Sequence, residues 1–399
     1  MYPGHFSKTT VNVFTIVTLF FIVACSNNGN TWESTLSKQK KAPGAIPKID
    51  SAVLQFMYKY HIPGMSLALA KNGQLLYAKG YGYADKAKKL DVTTESLFRV
   101  GDISCTITSM AVMQLIKAGK LSMTAKLFGD SGILKNDYGT PPYSKGITDI
   151  TVYDLLQHTA GGWAGNDDPV FLPVLRSASV DKAKLLGVTL DHVPLKAAPG
   201  SQFAYSRFGY FVLGMVIEKV SGQPYADFVM QNVLKSAGID AMCITGDTES
   251  DKKKNEVICY KEDTNIPFSY DELDDDFFLS RSAACAGWLA SAKDLVKLIT
   301  TDNLDSNTKK LMFTPSKLNP HYACGWSLSD DSKNWYCISQ IFGSTSEFVR
   351  AQNGYSWALL INTYRPVASN YISDLDILIW KVLNDSGFLP PETTPPHKV

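Results

Sequence analysis

The chain has 399 residues, 39 Lys plus Arg against 38 Asp plus Glu, and a hydrophobic content of 45%. That balance excludes disorder for the bulk of the chain, and a net charge of +1 without a long basic run leaves no electrostatic footprint for nucleic acid. The length is ample for a sizeable core, as two domains or one interleaved unit.

In chain order, Lys8 precedes an almost wholly apolar run from Val11 to Ala24, which ends at Cys25 and Ser26. The run is too short to span a membrane comfortably and has the charged start, apolar middle and small-residue end of an export signal, so residues 1–24 are expected to be removed and the protein exported. Ile22-Val23-Ala24-Cys25 also resembles a bacterial lipobox, in which Cys25 would carry a lipid. Secretion after plain cleavage and lipid anchoring through Cys25 both fit. Residues 25–44, rich in Ser, Asn, Lys and Gln, read as a tether, and residues 386–399, with four prolines, as a loose tail.

Between them, residues 45–385 read as one folded unit. An amphipathic stretch from Ile49 to Tyr60 precedes an apolar strand from Met65 to Ala70. The turn Lys71-Asn72-Gly73 and a second strand from Gln74 to Ala78 complete a hairpin. The part from about 99 to 285 alternates helical patterns with Gly and Pro-rich loops and is expected to be mostly helical. Strands return at Tyr322 to Ser327, Asn334 to Ser339, Glu347 to Ala351 and Ser356 to Asn362, and a helix follows near Ile372 to Leu383. This order predicts an α+β fold: one antiparallel sheet made by both ends of the chain, flanked by helices, with the helical part inserted.

The best-defined element is a helix buried nearly all round, opening at Gly101-Asp102 and stopping at Gly119. Asp102 suits an N-cap there. Beyond Cys25, six cysteines remain: Cys105, Cys243, Cys259, Cys285, Cys324 and Cys337. In an oxidising compartment they could pair as disulfides, or they could serve as small buried hydrophobes; the sequence leaves this open. His61, His192 and His321 lack metal-site spacing, and the acidic run Asp271 to Asp276 reads as a solvated loop rather than a calcium loop. No metal and no cofactor are expected.

Several landmarks occur in order: Ile62-Pro63-Gly64, Phe98-Arg99-Val100, Asp154-Leu155-Leu156-Gln157-His158-Thr159-Ala160-Gly161-Gly162, Pro199-Gly200, Tyr205-Ser206 with Gly209-Tyr210 and Leu213-Gly214, Gly287-Trp288-Leu289-Ala290, Asp294-Leu295 and Gly325-Trp326. Together they make residues 45–385 resemble the serine hydrolases related to class C β-lactamases, penicillin-binding proteins and D-alanyl-D-alanine carboxypeptidases. The resemblance implies the β-lactamase/transpeptidase-like fold. It also implies a Ser-x-x-Lys at the helix start, where the serine attacks a carbonyl and the lysine takes its proton. This chain has Asp102 and Cys105 at those places. The family's Tyr-x-Asn becomes Tyr205-Ser206-Arg207, and the strand motif of His or Lys, Thr or Ser, then Gly becomes Cys337-Ile338-Ser339.

No catalytic residue is therefore expected, and Asp102, Cys105, Tyr205, Arg207 and Cys337 are vestigial positions that the family fold would bring together. Ser104 would point away from the cleft at roughly 200° from Asp102. Cys105 has the chemistry of a nucleophile, but Asp102 one turn away favours its neutral thiol. The resemblance implies a loop-shaping role for His158. Asp102 and Arg207 are expected to form an ion pair, and Cys105 and Cys337 to be neighbours, as thiols or as a disulfide. The expected function is that of an exported, catalytically inactive relative with a binding or structural role in an envelope or extracellular matrix. The alternative is an active acyl hydrolase or peptidase with rebuilt catalytic residues. Ligand and oligomeric state are not legible.

Overall fold

The structure is a computed structural model that describes residues 47–171, 180–262, 266–267, 279–301, 303–331, 333–341, 343–364 and 370–385. The export segment, Cys25, the tether, the acidic run 271–276 and the tail lie outside these residues.

Helix α1 (Pro47–Lys59) buries Ile49, Val53, Leu54, Phe56 and Met57 and leaves Lys48, Gln55, Tyr58 and Lys59 in solvent, as its apolar spacing requires. Strands β1 (Gly64–Lys71) and β2 (Gln74–Asp85) follow as a hairpin, and Asn72 and Gly73 at its tip both have positive φ, at 49° and 78°. After the short β3 (Leu90–Asp91), β4 (Phe98–Arg99) leads through Gly101 into α2 (Ile103–Lys117).

The inserted part then carries α3 (Val152–Leu156), α4 (Lys182–His192), α5 (Arg207–Ser221), α6 (Tyr225–Val229) and β5 (Cys243–Ile244). Its regular elements are mainly helices, as expected of the insertion, and long irregular segments join them. From Ala118 to Thr151 the cause is visible in the sequence: Gly119, Gly129, Gly139 and Gly146 all take positive φ and stop helices from forming. The loops hold their shape instead by burying Leu127, Phe128, Leu134, Ile147 and Ile150.

The C-terminal part contains β6 (Trp288–Ala290), α7 (Ala292–Thr300), α8 (Ser306–Met312), β7 (Tyr322–Ala323), β8 (Trp326–Leu328), β9 (Trp335–Ile341), β10 (Ser344–Arg350), β11 (Tyr355–Ile361) and α9 (Tyr371–Asp385). The single strand read from Tyr322 to Ser327 is two strands, because Cys324 and Gly325 turn with φ of 40° and 84°. A side chain at Gly325 would lie 2.9 Å from the Cys105 carbonyl, so this turn passes tightly over the start of α2.

Eight strands form one antiparallel sheet in the order β3-β2-β1-β11-β10-β9-β8-β7. The N-terminal hairpin joins the C-terminal strands through β1 and β11, with Met65 opposite Ile361 and Lys71 opposite Tyr355. The sheet made by both ends of the chain is as expected. Both β1 and β11 are buried along nearly their whole length, which fits a sheet covered on both faces. On one face α1 and α9 pack over Leu67, Leu69, Trp357 and Leu359. On the other, Ala68, Ala70, Ala358 and Leu360 meet the core that surrounds α2 and α5. A second, three-stranded sheet in the order β4-β6-β5 fixes the approach to α2.

Candidate functional site

The site is built where β4 delivers the chain to α2, beside β9 and the start of α5. Gly101 has φ of +52°, and a Cβ there would sit 2.3 Å from Ser339 Oγ. Only glycine lets the backbone come this close to β9.

Asp102 occupies the N-cap position of α2 but makes no side-chain cap hydrogen bond, which corrects the capping role read from the sequence. Its carboxylate turns sideways instead. Arg207 donates to it twice, from Nε at 2.6 Å and from Nη2 at 2.7 Å. Ser339 Oγ donates to the same carboxylate at 3.1 Å and accepts the Asp102 backbone N–H at 2.9 Å. A bidentate, charge-assisted pair of this kind is strong and directional. The side chains are 22% exposed for Arg207 and 12% for Asp102, so the pair is largely out of water. Burial works against the arginine's charge, and Asp102 more than reverses it, leaving the Arg207 pKa raised.

Arg207 is the first residue of α5. The helix is capped by Ser206, whose Oγ accepts from the Gly209 N–H at 3.1 Å. Asp168, buried, accepts the backbone N–H of Arg207 at 2.7 Å and that of Val170 at 3.2 Å. Burial pushes the Asp168 carboxyl up to about 7, against the pull of these N–H groups and of Arg207. The guanidinium also lies over Phe171 at 5.2 Å and Tyr205 at 5.8 Å. Nothing in the local sequence marked Asp168 or Phe171 as partners of Arg207.

Tyr205 is half-buried against His158, with ring centroids 4.2 Å apart, and burial followed by the charge of Asp102 raises its pKa. A phenol held protonated in this way is a poor proton acceptor at neutral pH. His158 is buried among Phe203, Tyr205, Tyr210 and Tyr322, and its Nδ1 accepts the Ser206 N–H at 3.1 Å. Burial, helped by Arg207, lowers its pKa to about 3, so it is a neutral ring that positions the loop before α5.

Cys105 is 1% exposed and donates to the Cys285 carbonyl with Sγ at 3.5 Å. Burial first, and Asp102 next, push its thiol well up, and the same two causes raise Cys337. Neither is a thiolate at neutral pH. All six described cysteines are free thiols, so the disulfides allowed by the sequence, the Cys105–Cys337 pair included, are not formed. Cys105, Cys259, Cys285, Cys324 and Cys337 are buried and behave as small apolar groups. Ser104 is fully buried, and its Oγ accepts the Trp288 N–H at 3.3 Å, facing the small sheet rather than Asp102.

The structure thus brings Asp102, Arg207, Tyr205, Cys105 and Cys337 around one point, with Ser339 as a bridge that the motif comparison had placed but given no role. The ion pair occupies the helix start. Among the described residues, no group in contact with Asp102 is placed to serve as its base, and the hydroxyl bonded to it, from Ser339, is spent on the carboxylate and the Asp102 N–H.

The β-lactamase family model matches residues 49–378. Protein flp of Staphylococcus aureus (strain MW2) is 25% identical over 296 residues, covering 71% of this chain and 56% of the relative. The chain therefore spans about half the length of that curated relative. The octameric penicillin-binding protein homologue from Pyrococcus abyssi superposes with a TM-score of 0.69 at 21% identity, covering 85% of this chain and 77% of that one. The D-amino acid amidase from Ochrobactrum anthropi SV3 superposes with a TM-score of 0.68 at 20% identity, covering 85% of this chain and 98% of that one. With the family match running through nearly all of the described residues, and the sheet, the buried helix and their order in agreement, this chain belongs to the β-lactamase family and has its serine hydrolase fold.

Proposed function

We propose that this protein is a catalytically silent member of its family, exported from the cytosol and used outside it as a binding or structural component of an envelope or extracellular matrix. The observation that carries the silence is the Asp102–Arg207 pair, with Ser339 bridging it, at the helix start where acyl transfer would need a nucleophile and its base. A carboxylate held by two N–H donors and a hydroxyl is a weak nucleophile, and an acyl anhydride formed on it would hydrolyse without a positioned base. The rebuilt-hydrolase reading needs a thiolate or a second base; Cys105, Tyr205 and His158 are all held neutral. Export rests on the apolar run ending at Ala24 and Cys25.

The test of silence is incubation of the purified protein with a fluorescent penicillin and a fluorophosphonate probe. No covalent adduct is expected. Labelling of any residue within the site would overturn the reading. The companion variant combines Asp102→Ser, Cys105→Lys, Arg207→Asn and Cys337→His; if the unchanged protein turns over acyl substrates as fast as this variant, the site was never silent. Intact mass of protein from its native host tests export and lipidation of Cys25, and a mature chain still carrying Met1 to Phe14 would refute export.

A further inference from the structure

The eight-stranded sheet has two unlike edges. At one end of the order, β7 is two residues long and both are buried, which is too short a ladder to add a strand to. At the other end β3 covers only part of β2: Tyr83 pairs with Asp91 and Asp85 with Leu90, and Val92 donates its N–H to the Gly82 carbonyl at 2.9 Å. The covering chain stays close as far as Gly80, where a Cβ would meet the Val92 carbonyl oxygen at 2.1 Å. From Gln74 to Lys79, about 20 Å of strand, β2 pairs with β1 on its inner side and has no strand on its outer side among the described residues. Alternate residues of such an edge turn their N–H and C=O groups outward.

The free stretch lacks most of the features that keep an edge from pairing, among which charges and prolines are the commonest. Gln74-Leu75-Leu76-Tyr77-Ala78 has neither, and the ammonium of Lys79 turns inward to Asp50 Oδ1 at 2.9 Å. A bulge is present, since Ala70 lies opposite Leu75 and Leu69 opposite Tyr77, which leaves Leu76 as the extra residue. It carries apolar side chains rather than charge: Leu75 is 53% exposed and Leu76 50%. Beside the edge, a hollow of about 400 Å³ lies between the hairpin and α7, with Ala70, Leu75 and Val296 in its lining. The two lysines that line it are engaged, Lys293 with Glu95 and Lys297 with the Gly238 carbonyl, so the hollow suits an uncharged side chain.

We infer that β2 of one copy pairs antiparallel with β2 of a second copy, about a two-fold axis near Leu76, joining their two sheets into one. Self-pairing fits this edge because the strand is its own complement. With Leu76 at the axis, Leu75 lies opposite the partner's Tyr77, Gln74 opposite the partner's Ala78 and Lys79 opposite the partner's Gly73, so no like charges meet. The hollow by α7 receives an apolar side chain of the incoming strand. Because β7 does not extend the sheet, the contact is isologous and closes at two copies instead of growing into a filament. A ladder this short falls at the low end of interface sizes, which sets the expected Kd at about 10–100 μM. None of these residues belongs to the Asp102 site, so the pairing stands whether or not that site turns over acyl substrates.

The experiment follows the full chain by sedimentation velocity from about 1 to about 300 μM, a range that brackets the expected Kd. A reversible monomer–dimer equilibrium is expected. Leu75→Lys combined with Leu76→Lys sets like charges across the axis and should raise Kd at least tenfold, with the circular dichroism of the unchanged chain retained. Should that double variant misfold, Gln74→Lys, at an exposed position of the same edge, is read in the same way. Amide hydrogen exchange locates the contact: residues 74–79 should exchange severalfold more slowly at the highest concentration than at the lowest, and the variant should lose the difference. The inference is overturned if the chain stays monomeric throughout, as it would were this edge kept for a different protein. It is equally overturned if species larger than the dimer grow in, if the folded variant leaves Kd unchanged, or if the slowed amides lie elsewhere.

Discussion

Replacing Arg207 by Met should cost about 2–4 kcal/mol of stability. The guanidinium makes two short bonds to Asp102, at 2.6 and 2.7 Å, and its removal leaves the carboxylate with Ser339 as the side chain bonded to it. Breaking a fully buried pair costs about 3–5 kcal/mol, most of it the penalty of a stranded charge. Here the side chains keep 22% and 12% of their exposure, so water reaches the stranded group and the cost falls somewhat below that range. Asp102→Asn should cost less, about 1–3 kcal/mol, because an amide oxygen still accepts one guanidinium N–H. The decisive quantity is the interaction term of the double-mutant cycle with Asp102→Asn/Arg207→Met, expected at about 1.5–3 kcal/mol from urea unfolding monitored by tryptophan fluorescence. A term below about 0.5 kcal/mol is what a solvated surface pair gives. That result would refute the view that this pair fills and closes the site.

Three further outcomes follow from the same geometry. Gly101→Ala should destabilise by more than about 2 kcal/mol, because φ is +52° and the new Cβ would lie 2.3 Å from Ser339 Oγ and 2.8 Å from Ile341 Cγ2; a change within about 0.5 kcal/mol in denaturant unfolding would contradict the close approach to β9. Native-state labelling with a thiol reagent at pH 8, mapped by mass, should modify the half-exposed Cys243 before Cys105 and Cys337, whose thiols burial pushes well up; rapid labelling of Cys105 would count against its neutral, buried state. Stability should also carry a carboxyl signature from Asp376 and Glu347, two interacting carboxyls buried behind the sheet that burial pushes up, Asp376 to about 7. An unfolded carboxyl titrates near 4, so the folded state binds more protons between about pH 4 and 7, and this contribution is lost as pH rises through that window. His158, lowered to about 3, acts in the opposite sense below about pH 6.5. Comparing wild type with Asp376→Asn isolates the first effect: the variant should gain relative stability from pH 5 to 8, and a constant difference would show that Asp376 does not titrate there.

The sheet was legible because its strands advertise themselves locally. Met65 to Ala70 and Ser356 to Asn362 are short apolar runs with turn residues beside them, and Asn72-Gly73 supplies the positive φ that a two-residue hairpin needs. Their pairing as β1 with β11 came from chain order and from the family resemblance, since nothing local links Met65 to Ile361. The middle was harder to read for a physical reason. Where Leu127, Phe128 and Leu134 are buried by loops, apolar spacing follows the surface being covered rather than the period of a helix. The break of Tyr322 to Ser327 at Cys324-Gly325 is set by contact with the Cys105 carbonyl, a tertiary constraint with no periodic trace.

At the site, position was legible and orientation was not. The substituted motifs marked Asp102, Cys105, Tyr205, Arg207 and Cys337, and opposite charges at two of these places pointed to the ion pair. Local preference then suggested that Asp102 caps α2, and tertiary contact overrode it: two N–H donors from Arg207 and the Ser339 hydroxyl outbid a single backbone N–H for the carboxylate. Asp168 carried no signal, because its bond to the Arg207 N–H closes 39 residues of chain. The resulting set of contacts bears on how the site came to be as it is. Random loss of a catalytic serine and lysine would leave the neighbouring polar groups short of partners, at a cost of about 1–3 kcal/mol for each one buried. Here the Asp102 N–H, its carboxylate, the Arg207 N–H, its guanidinium and the Cys105 thiol each have an acceptor or donor. These contacts also resist piecemeal reversal. A serine put back at position 102 alone would leave Arg207 as a largely buried cation facing a hydroxyl, which is why all four positions have to change together before the family's chemistry can be asked of this fold.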